Sequence, residues 1–458
     1  MADLDSKSTT TEAKALAALQ GLVSEVVPHN PFYGHKFAAI GCSALPASLA
    51  DFTARYPFTT KAELVADQAM HPPYGTNLTY PLARYTRCHQ TSGTTGAPLR
   101  WLDTPECWAA MTEDWEEVFR SAGVKAGDRA FFAFSFGPFL GFWLAFEAAQ
   151  KLGCLSFAGG GMSSALRARV LLENECTVLC GTPTYVLHLA EVARAEGLDL
   201  SRSRVRRIIV AGEPGGSQPA TRARIREAWN GAEVFDHHGM TEVGPVTHEV
   251  PGRPGTLAVM ARSYFAEVIQ PATGEPVPDG TTGELVLTTL RRTGSPLIRY
   301  RTGDLVRGSK FQVQSGYSAT EMPAPWSLEA GTLCLEGGIL GRADDMVIVR
   351  GVNVYPGALD EIIRSLPEIA EYRVTHDTSA ALAALSLEIE APSVTAKELE
   401  ERLHLALSLR IPVTAVEGGS LPRFELKAKR WRKLVPSAID TPDLPLVGAA
   451  GRVPRCTL

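Results

Sequence analysis

Thr91-Ser92-Gly93-Thr94-Thr95-Gly96-Ala97-Pro98 sets hydroxyl-bearing side chains around two glycines. The glycines let the backbone turn tightly, and the hydroxyls with the bare amides can surround phosphate oxygens. It is not a Walker loop, because neither Lys-Ser nor Lys-Thr follows the second glycine. Taken alone, the run also reads as a polar surface turn. Its neighbours along the chain decide between the two.

Outward from this loop, residues 10–27 have helical periodicity, broken by His29-Asn30-Pro31-Phe32-Tyr33. To about residue 225, strand-like runs (Arg129–Phe134, Thr177–Cys180, Arg207–Val210) alternate with helical stretches (Thr104–Ala122, Thr184–Glu196), which predicts doubly wound α/β layers. Between about residues 255 and 310 short β segments, such as Ala266–Ile269, Gly283–Leu287 and Leu297–Tyr300, predict a β subdomain. Residues 309–333, rich in Ser, Gly and Pro, read as a loop or hairpin. After Gly341 a strand (Met346–Arg350), a turn at Tyr355-Pro356 and helices at Ala358–Ser365 and Ala396–Ser408 predict a small α+β domain. From Arg430 to Leu458 periodicity is lost, and four prolines point to a surface tail.

The 458 residues, 45% hydrophobic and 21% charged with a net charge of −5, give no overall attraction for nucleic acid or an anionic membrane. Eight scattered cysteines lack CxxC spacing, which predicts a reducing cytoplasm; Cys176 and Cys180 lie in an apolar run and read as buried thiols. The polar start, Met1 to Lys7, has no apolar signal core, so secretion is not expected. Ala130–Phe146 is uncharged but short and interrupted by Gly137, Pro138 and Gly141, so it reads as a buried strand, loop and helix start.

Further motifs stand in order along the chain: Ala211-Gly212-Glu213-Pro214-Gly215-Gly216 after a strand, His238-Gly239-Met240-Thr241-Glu242, Tyr300-Arg301-Thr302-Gly303-Asp304-Leu305, Gly341-Arg342-Ala343-Asp344-Asp345, Arg350-Gly351-Val352-Asn353-Val354-Tyr355-Pro356, and Leu421-Pro422-Arg423-Phe424-Glu425-Leu426-Lys427-Ala428-Lys429-Arg430. With Tyr56–Lys61 and the Thr91–Gly96 loop, this ordered set resembles the adenylate-forming superfamily of acyl-CoA synthetases, most closely the phenylacetate-CoA ligase branch. The resemblance implies a large N-terminal domain (1–343) of doubly wound α/β layers plus a β subdomain, then a small α+β domain (344–435) on a hinge at Asp344, with 436–458 as a tail.

It also implies site residues. Thr91, Ser92, Gly93, Thr94, Thr95 and Gly96 would contact the β- and γ-phosphates of ATP. Gly212, Glu213 and Pro214 would cradle adenine, with His237, His238, Gly239 and Met240 beside the nucleotide. Thr241 would bind the α-phosphate and Glu242 would hold Mg²⁺. Asp304 would accept the ribose hydroxyls, Arg342 would approach the nucleotide, and Lys427 would contact the reacting carboxylate, with Lys429 in reserve. Relatives usually carry glycine where this chain has Leu426. Ser135, Phe136, Gly137 and Pro138 would form part of the acyl pocket, and Arg350, Gly351 and Asn353 would line the coenzyme A channel. For the paired histidines, a core-satisfied or solvated pair is the competing reading; for the phenylalanines it is plain core.

The expected activity is therefore ATP-dependent activation of a carboxylic acid, aryl or arylacetic, to an acyl-AMP, followed by transfer to the coenzyme A thiol. A carrier-protein or other non-CoA acceptor, or a silent nucleotide-binding protein, stand as alternatives. The expected partners are small molecules, with neither nucleic acid nor membrane; the resemblance allows a homodimer, though no residue read from the sequence marks an interface.

Overall fold

The central parallel strands are nearly continuous apolar runs because both faces of their sheet are covered. The computed structural model describes residues 2–42, 44–91, 98–311, 328–329, 331–343, 345–349, 352–378, 383–424 and 428–434, with backbone alone at 2–11, 348 and 353. Among these, five parallel strands stand in the spatial order Leu155–Ala158, Arg129–Phe132, Val178–Gly181, Arg207–Ala211, Glu233–His237. Alternate residues feed two cores. Ala130, Phe132, Cys180 and Ile209 face Trp108, Trp115 and Leu144, whereas Phe131, Leu179, Ile208 and Val210 face Tyr185, Leu189 and Trp229. Burying each such large apolar side chain contributes about 1.5–3 kcal/mol.

The helices start where the sequence supplies caps. Thr104 accepts the Cys107 N–H ahead of Pro105–Ser121, and Thr182 accepts the Tyr185 N–H ahead of Pro183–Ala195; each helix opens on proline, whose missing N–H is not needed there. Both lie within a residue or so of the expected helices, as does the strand Arg207–Ala211. Ala130–Phe146 is a strand, a loop and the start of the helix Leu140–Leu152. Among the described residues no helix is long and apolar enough to cross a membrane.

The β region is larger than expected. A six-stranded antiparallel sheet, counted over the described residues, runs in the order Thr247–Glu249, Thr256–Val259, Leu333–Arg342, Tyr300–Lys310, Thr282–Thr289, Tyr264–Ile269. Its two longest strands escape a period-2 reading because their register shifts between Leu305 and Val306 and again before Gly308. Residues 312–327 of the expected loop lie outside the described residues. The C-terminal unit packs the helices Pro356–Arg364 and Ser393–Leu407 on four strands, Val413–Val416, Ala384–Glu390, Tyr372–Asp377 and Trp431–Leu434. The strand Trp431–Leu434 lies in the stretch where the sequence loses periodicity; it pairs parallel with Val374–Asp377, half-burying Trp431. Residues 435–458 lie outside the described residues.

Arg299 clamps the N-terminal helices to the large sheet. Its guanidinium pairs with Glu267 at 2.7 Å and donates to the carbonyls of Thr53 and Tyr56, with both charged side chains buried. Removing one partner of a buried pair strands the other charge, so Arg299→Met is expected to lower stability by about 3–5 kcal/mol. Urea unfolding checks this, and the double change Arg299→Met with Glu267→Gln should cost less than the sum of the two single changes.

Candidate active site

In a doubly wound sheet, ligands bind beyond the carboxyl ends of the strands, at the point where the winding reverses. Here that point lies beside Arg129–Phe132, whose neighbours are the next two strands of the chain. Ser135–Pro138, Gly212–Gly216 and His238–Glu242 all follow carboxyl ends of this sheet. Gln90 N–H donates to the Pro138 carbonyl, joining the segment at the switch point to the hairpin that flanks the hydroxyl-rich loop. At the base of that hairpin Arg87–Gln90 pairs with Arg100–Asp103; the Thr91 N–H donates to the Leu99 carbonyl and the Leu99 N–H to Thr91 Oγ1. Thr91 Oγ1 thus accepts one of the bonds that close the base of the hairpin. Ser92, Gly93, Thr94, Thr95 and Gly96 lie outside the described residues.

Thr241 and Glu242 are fixed through their backbone. Arg292, buried, donates Nε and Nη2 to the two oxygens of Asp103 at 2.7 Å each, and Nη1 to the carbonyls of Thr241 and Glu242 at 2.8 and 2.9 Å. Asp103 ends the strand that leaves the hydroxyl-rich loop, so one guanidinium sets the distance between that loop's exit and Thr241-Glu242. The Glu242 carboxylate is buried and meets the Lys61 ammonium at 3.2 Å. Lys61 arrives because Thr59 pairs with Tyr300, the first residue of the strand carrying Asp304. Sequence reasoning assigned no role to Arg292, Asp103 or Lys61.

Asp304 is buried and accepts from Arg342 Nη1 at 3.2 Å, the two standing opposite each other across the sheet. Its second oxygen, Oδ2, lies 3.3 Å from His238 Nε2, near enough for an ion pair, yet the geometry makes no hydrogen bond and both atoms lack one among the described residues. A buried carboxylate oxygen without a donor suits a ligand hydroxyl, and the residues present therefore fit a ribose. His237 turns the opposite way: its ring packs on Trp115 with centroids 4.4 Å apart, and its Nδ1 meets the Thr247 carbonyl. Burial lowers its pKa to about 3, so it is a neutral core histidine. Gly239 has no room for a side chain, since a Cβ would stand 2.8 Å from the Gly244 carbonyl oxygen, and Met240 packs against the core below.

Gly216 sits against Asp236, where a Cβ would come within 2.1 Å of its carboxylate. Gly212 and Pro214 lie on the same turn, but the Glu213 side chain is engaged elsewhere: Oε1 accepts the Thr184 N–H at 2.8 Å and Oε2 accepts the Ala428 N–H at 3.0 Å. Glu213 therefore joins the C-terminal unit to the start of the helix Pro183–Ala195.

In the expected acyl segment Ser135 and Pro138 are exposed, while Phe136 is half-buried with a left-handed φ of 47°. It meets Trp143 and Phe146 edge-on, and Trp143 Nε1 donates to the Gly137 carbonyl. Phe134 and Phe142 stack at 4.0 Å beneath. A bulky residue held in this rare backbone region is a constrained position. Lys427, Asp344, Arg350 and Gly351, and the side chain of Asn353, lie outside the described residues; Lys429 is exposed.

Known proteins are similar to this chain. Residues 90–290 match the AMP-binding enzyme family and residues 351–433 the AMP-binding enzyme C-terminal domain. The chain is 30% identical to the phenylacetate-coenzyme A ligase of Aromatoleum evansii over 93% of its own length and 95% of that protein. It is 29% identical to the phenylacetate-coenzyme A ligase of Escherichia coli strain K12, over 87% and 89%. Among solved structures, 2-hydroxyisobutyryl-CoA ligase in its postadenylation state with 2-HIB-AMP is similar at a TM-score of 0.84, with 29% identity over 92% of this chain and 89% of that one. The same ligase in its thioesterification state, with 2-HIB-AMP and CoA, gives a TM-score of 0.68 at 29% identity over 93% and 90%. The chain belongs to the adenylate-forming AMP-binding enzymes, and within them to the branch of the phenylacetate-coenzyme A ligases.

If Arg292 sets the spacing at this site, Arg292→Lys, which keeps the charge but has one nitrogen for four acceptors, should lower stability by about 1–3 kcal/mol. Acid-dependent pyrophosphate release should fall at a temperature where the variant is still folded. Thermal unfolding and the release assay on one preparation check both.

Proposed function

We propose that this AMP-forming acid–coenzyme A ligase takes an aryl or arylacetic acid and carries out both of its steps beyond the carboxyl ends of the parallel strands. The observation that carries the reading is the buried Asp304 oxygen without a donor, set among His238, Arg342 and the anchored Thr241-Glu242 turn. Gly212 and Pro214 stand on the adenine side of that site.

In the first step a carboxylate oxygen of the acid attacks the α-phosphorus of ATP, forming an O–P bond and releasing pyrophosphate. Both reactants are anions, and the acid, with a pKa of about 4, is already ionised, so positioning and positive charge carry the step rather than proton transfer. Lys427, the Thr241 hydroxyl and the donors of Thr91–Gly96 are the groups read for this. Glu242 would hold Mg²⁺, which when bound would neutralise phosphate charge; a single buried carboxylate fits that ion's preference for few protein ligands. Lys61, 3.2 Å away, holds the Glu242 carboxylate in place.

In the second step the coenzyme A sulfur attacks the acyl carbon, its proton leaves to solvent, and the bond to AMP breaks. Lys427 and the thiol cannot share one approach to the acyl group, so residues 344–435 are read as turning about Asp344 to bring Arg350, Gly351 and Asn353 forward, a hinge transition. The higher likeness to the postadenylation state of 2-hydroxyisobutyryl-CoA ligase (0.84 against 0.68) supports reading the present arrangement as the one that precedes thiol attack. The aromatic walls at Phe134, Phe136, Phe142 and Trp143 support a flat acid, since ring faces and edges pair well with an aryl group. Seven described cysteines are free thiols, which supports a cytoplasmic enzyme.

Pyrophosphate release with ATP and Mg²⁺, measured across aryl, arylacetic, hydroxylated aryl and short aliphatic acids with and without coenzyme A, tests the reading. Release should be fastest with an aryl or arylacetic acid and should accelerate with coenzyme A; preference for a short aliphatic acid would overturn the acid assignment. Asp344→Pro should leave acid-dependent release intact and suppress thioester formation, and equal rates in both half-reactions would sink the hinge.

A further inference from the structure

We propose that Glu213 is a positioning residue for the first half-reaction, tethering the lysine-bearing segment while the acyl-adenylate forms. This deepens the reading of Lys427 given above and rests on it. The turn after a central strand is where the adenine is expected to lie, yet the Glu213 carboxylate points along the seam and divides its two oxygens between two backbone amides, Thr184 and Ala428. Thr184 belongs to the first turn of the helix Pro183–Ala195, so the first of these bonds satisfies a donor that the helix leaves open and places negative charge at its positive end. The second bond holds the N–H of Ala428, the residue that follows Lys427 in the sequence.

Two residues on, the attachment is repeated. Arg430 is buried, pairs with Glu371 of its own unit and donates to Thr184 Oγ1 at 3.3 Å. Residues 428 and 430 are thus both fastened to the helix start at Thr184, whose amide Glu213 fixes. A carboxylate accepting backbone N–H groups makes strong, short-range bonds that are lost as soon as the partner moves away. Glu213 therefore stabilises the arrangement that presents the lysine and contributes nothing to the arrangement that admits the thiol.

The test separates the half-reactions. Adenylation is read as acid-dependent exchange of labelled pyrophosphate into ATP without coenzyme A, using phenylacetic acid or whichever acid in the panel is fastest. Thioester formation is read from the corresponding synthetic acyl-adenylate and coenzyme A. Glu213→Gln, equal in size but uncharged, should slow exchange about ten- to a hundredfold, the range for weakening hydrogen bonds to a charged group, through kcat with the KM for ATP unchanged. Thioester formation from supplied adenylate should hold its rate, and hydrogen exchange over 424–434 should quicken. Ala428→Pro, which deletes the donor from the other side and leaves the helix start intact, should reproduce the pattern should Glu213→Gln fold poorly. A raised KM for ATP would assign Glu213 to the nucleotide, and equal loss in both half-reactions would assign it to the fold; either overturns the proposal. Lys427→Ala is the control: if exchange survives in it, the lysine assignment fails, whereas a dead Lys427→Ala beside an unaffected Glu213→Gln refutes the tether alone.

Discussion

A guanidinium and a carboxylate removed from water together must be paired in good geometry, because either alone carries a desolvation penalty of several kcal/mol. Arg292 and Asp103 satisfy this with two bonds of 2.7 Å, and the remaining Arg292 nitrogen takes up the Thr241 and Glu242 carbonyls. The Trp101 ring lies 5.6 Å from the guanidinium carbon and helps keep water away. Three separate stretches, the strand leaving the hydroxyl-rich loop, the turn at 241–242 and the crossing at 290–295, cannot move relative to one another without exposing this pair. Catalysis by positioning needs such rigidity, since displacement of about 1 Å at a reacting centre can cost about a hundredfold in rate.

The sheet's edge carries the same logic outward. Thr59 docks on Tyr300 and delivers Lys61 to Glu242, while Arg342 and Asp304 face each other on paired strands of the antiparallel sheet. The two sheets therefore contribute opposite sides of one site: turns after the parallel strands supply His238 and Thr241-Glu242, and the antiparallel sheet supplies Asp304 and Arg342. His237, one residue from His238, serves the core because neighbours in extended chain point to opposite faces.

What the sequence made legible was local. Glycine and hydroxyl spacing marked the loops, and alternating apolar runs marked the parallel strands, since burial on both faces leaves a continuous signature at Phe131–Phe132 or Ile208–Val210. The long strand Leu333–Arg342 was invisible because Gly337 and Gly338, both at positive φ, interrupt its pattern where Gly338 must pass the Ser217 side chain. Arg292 was invisible for a different reason. In sequence it is one of two arginines before a Thr-Gly turn, which reads as solvated, and its partner Asp103 is 189 positions away. Lys61 sat inside a recognised stretch, but an ion pair with Glu242 has no sequence spacing to betray it.

The attachments of the C-terminal unit differ in kind from the cores they join. Gln218 reaches the Gly357 carbonyl, Arg430 reaches Thr184, Arg423 approaches Glu191 at 3.8 Å and Glu213 accepts from Ala428, all polar and all able to be replaced by water. Bonds of this kind are typical of contacts between units of one chain, which are more polar than a core. One of them also bears on the substitution of Leu426 for the glycine usual before the lysine. Glu213 accepts from the backbone amide of residue 428 rather than from a side chain, so this bond does not depend on which side chain stands at 426.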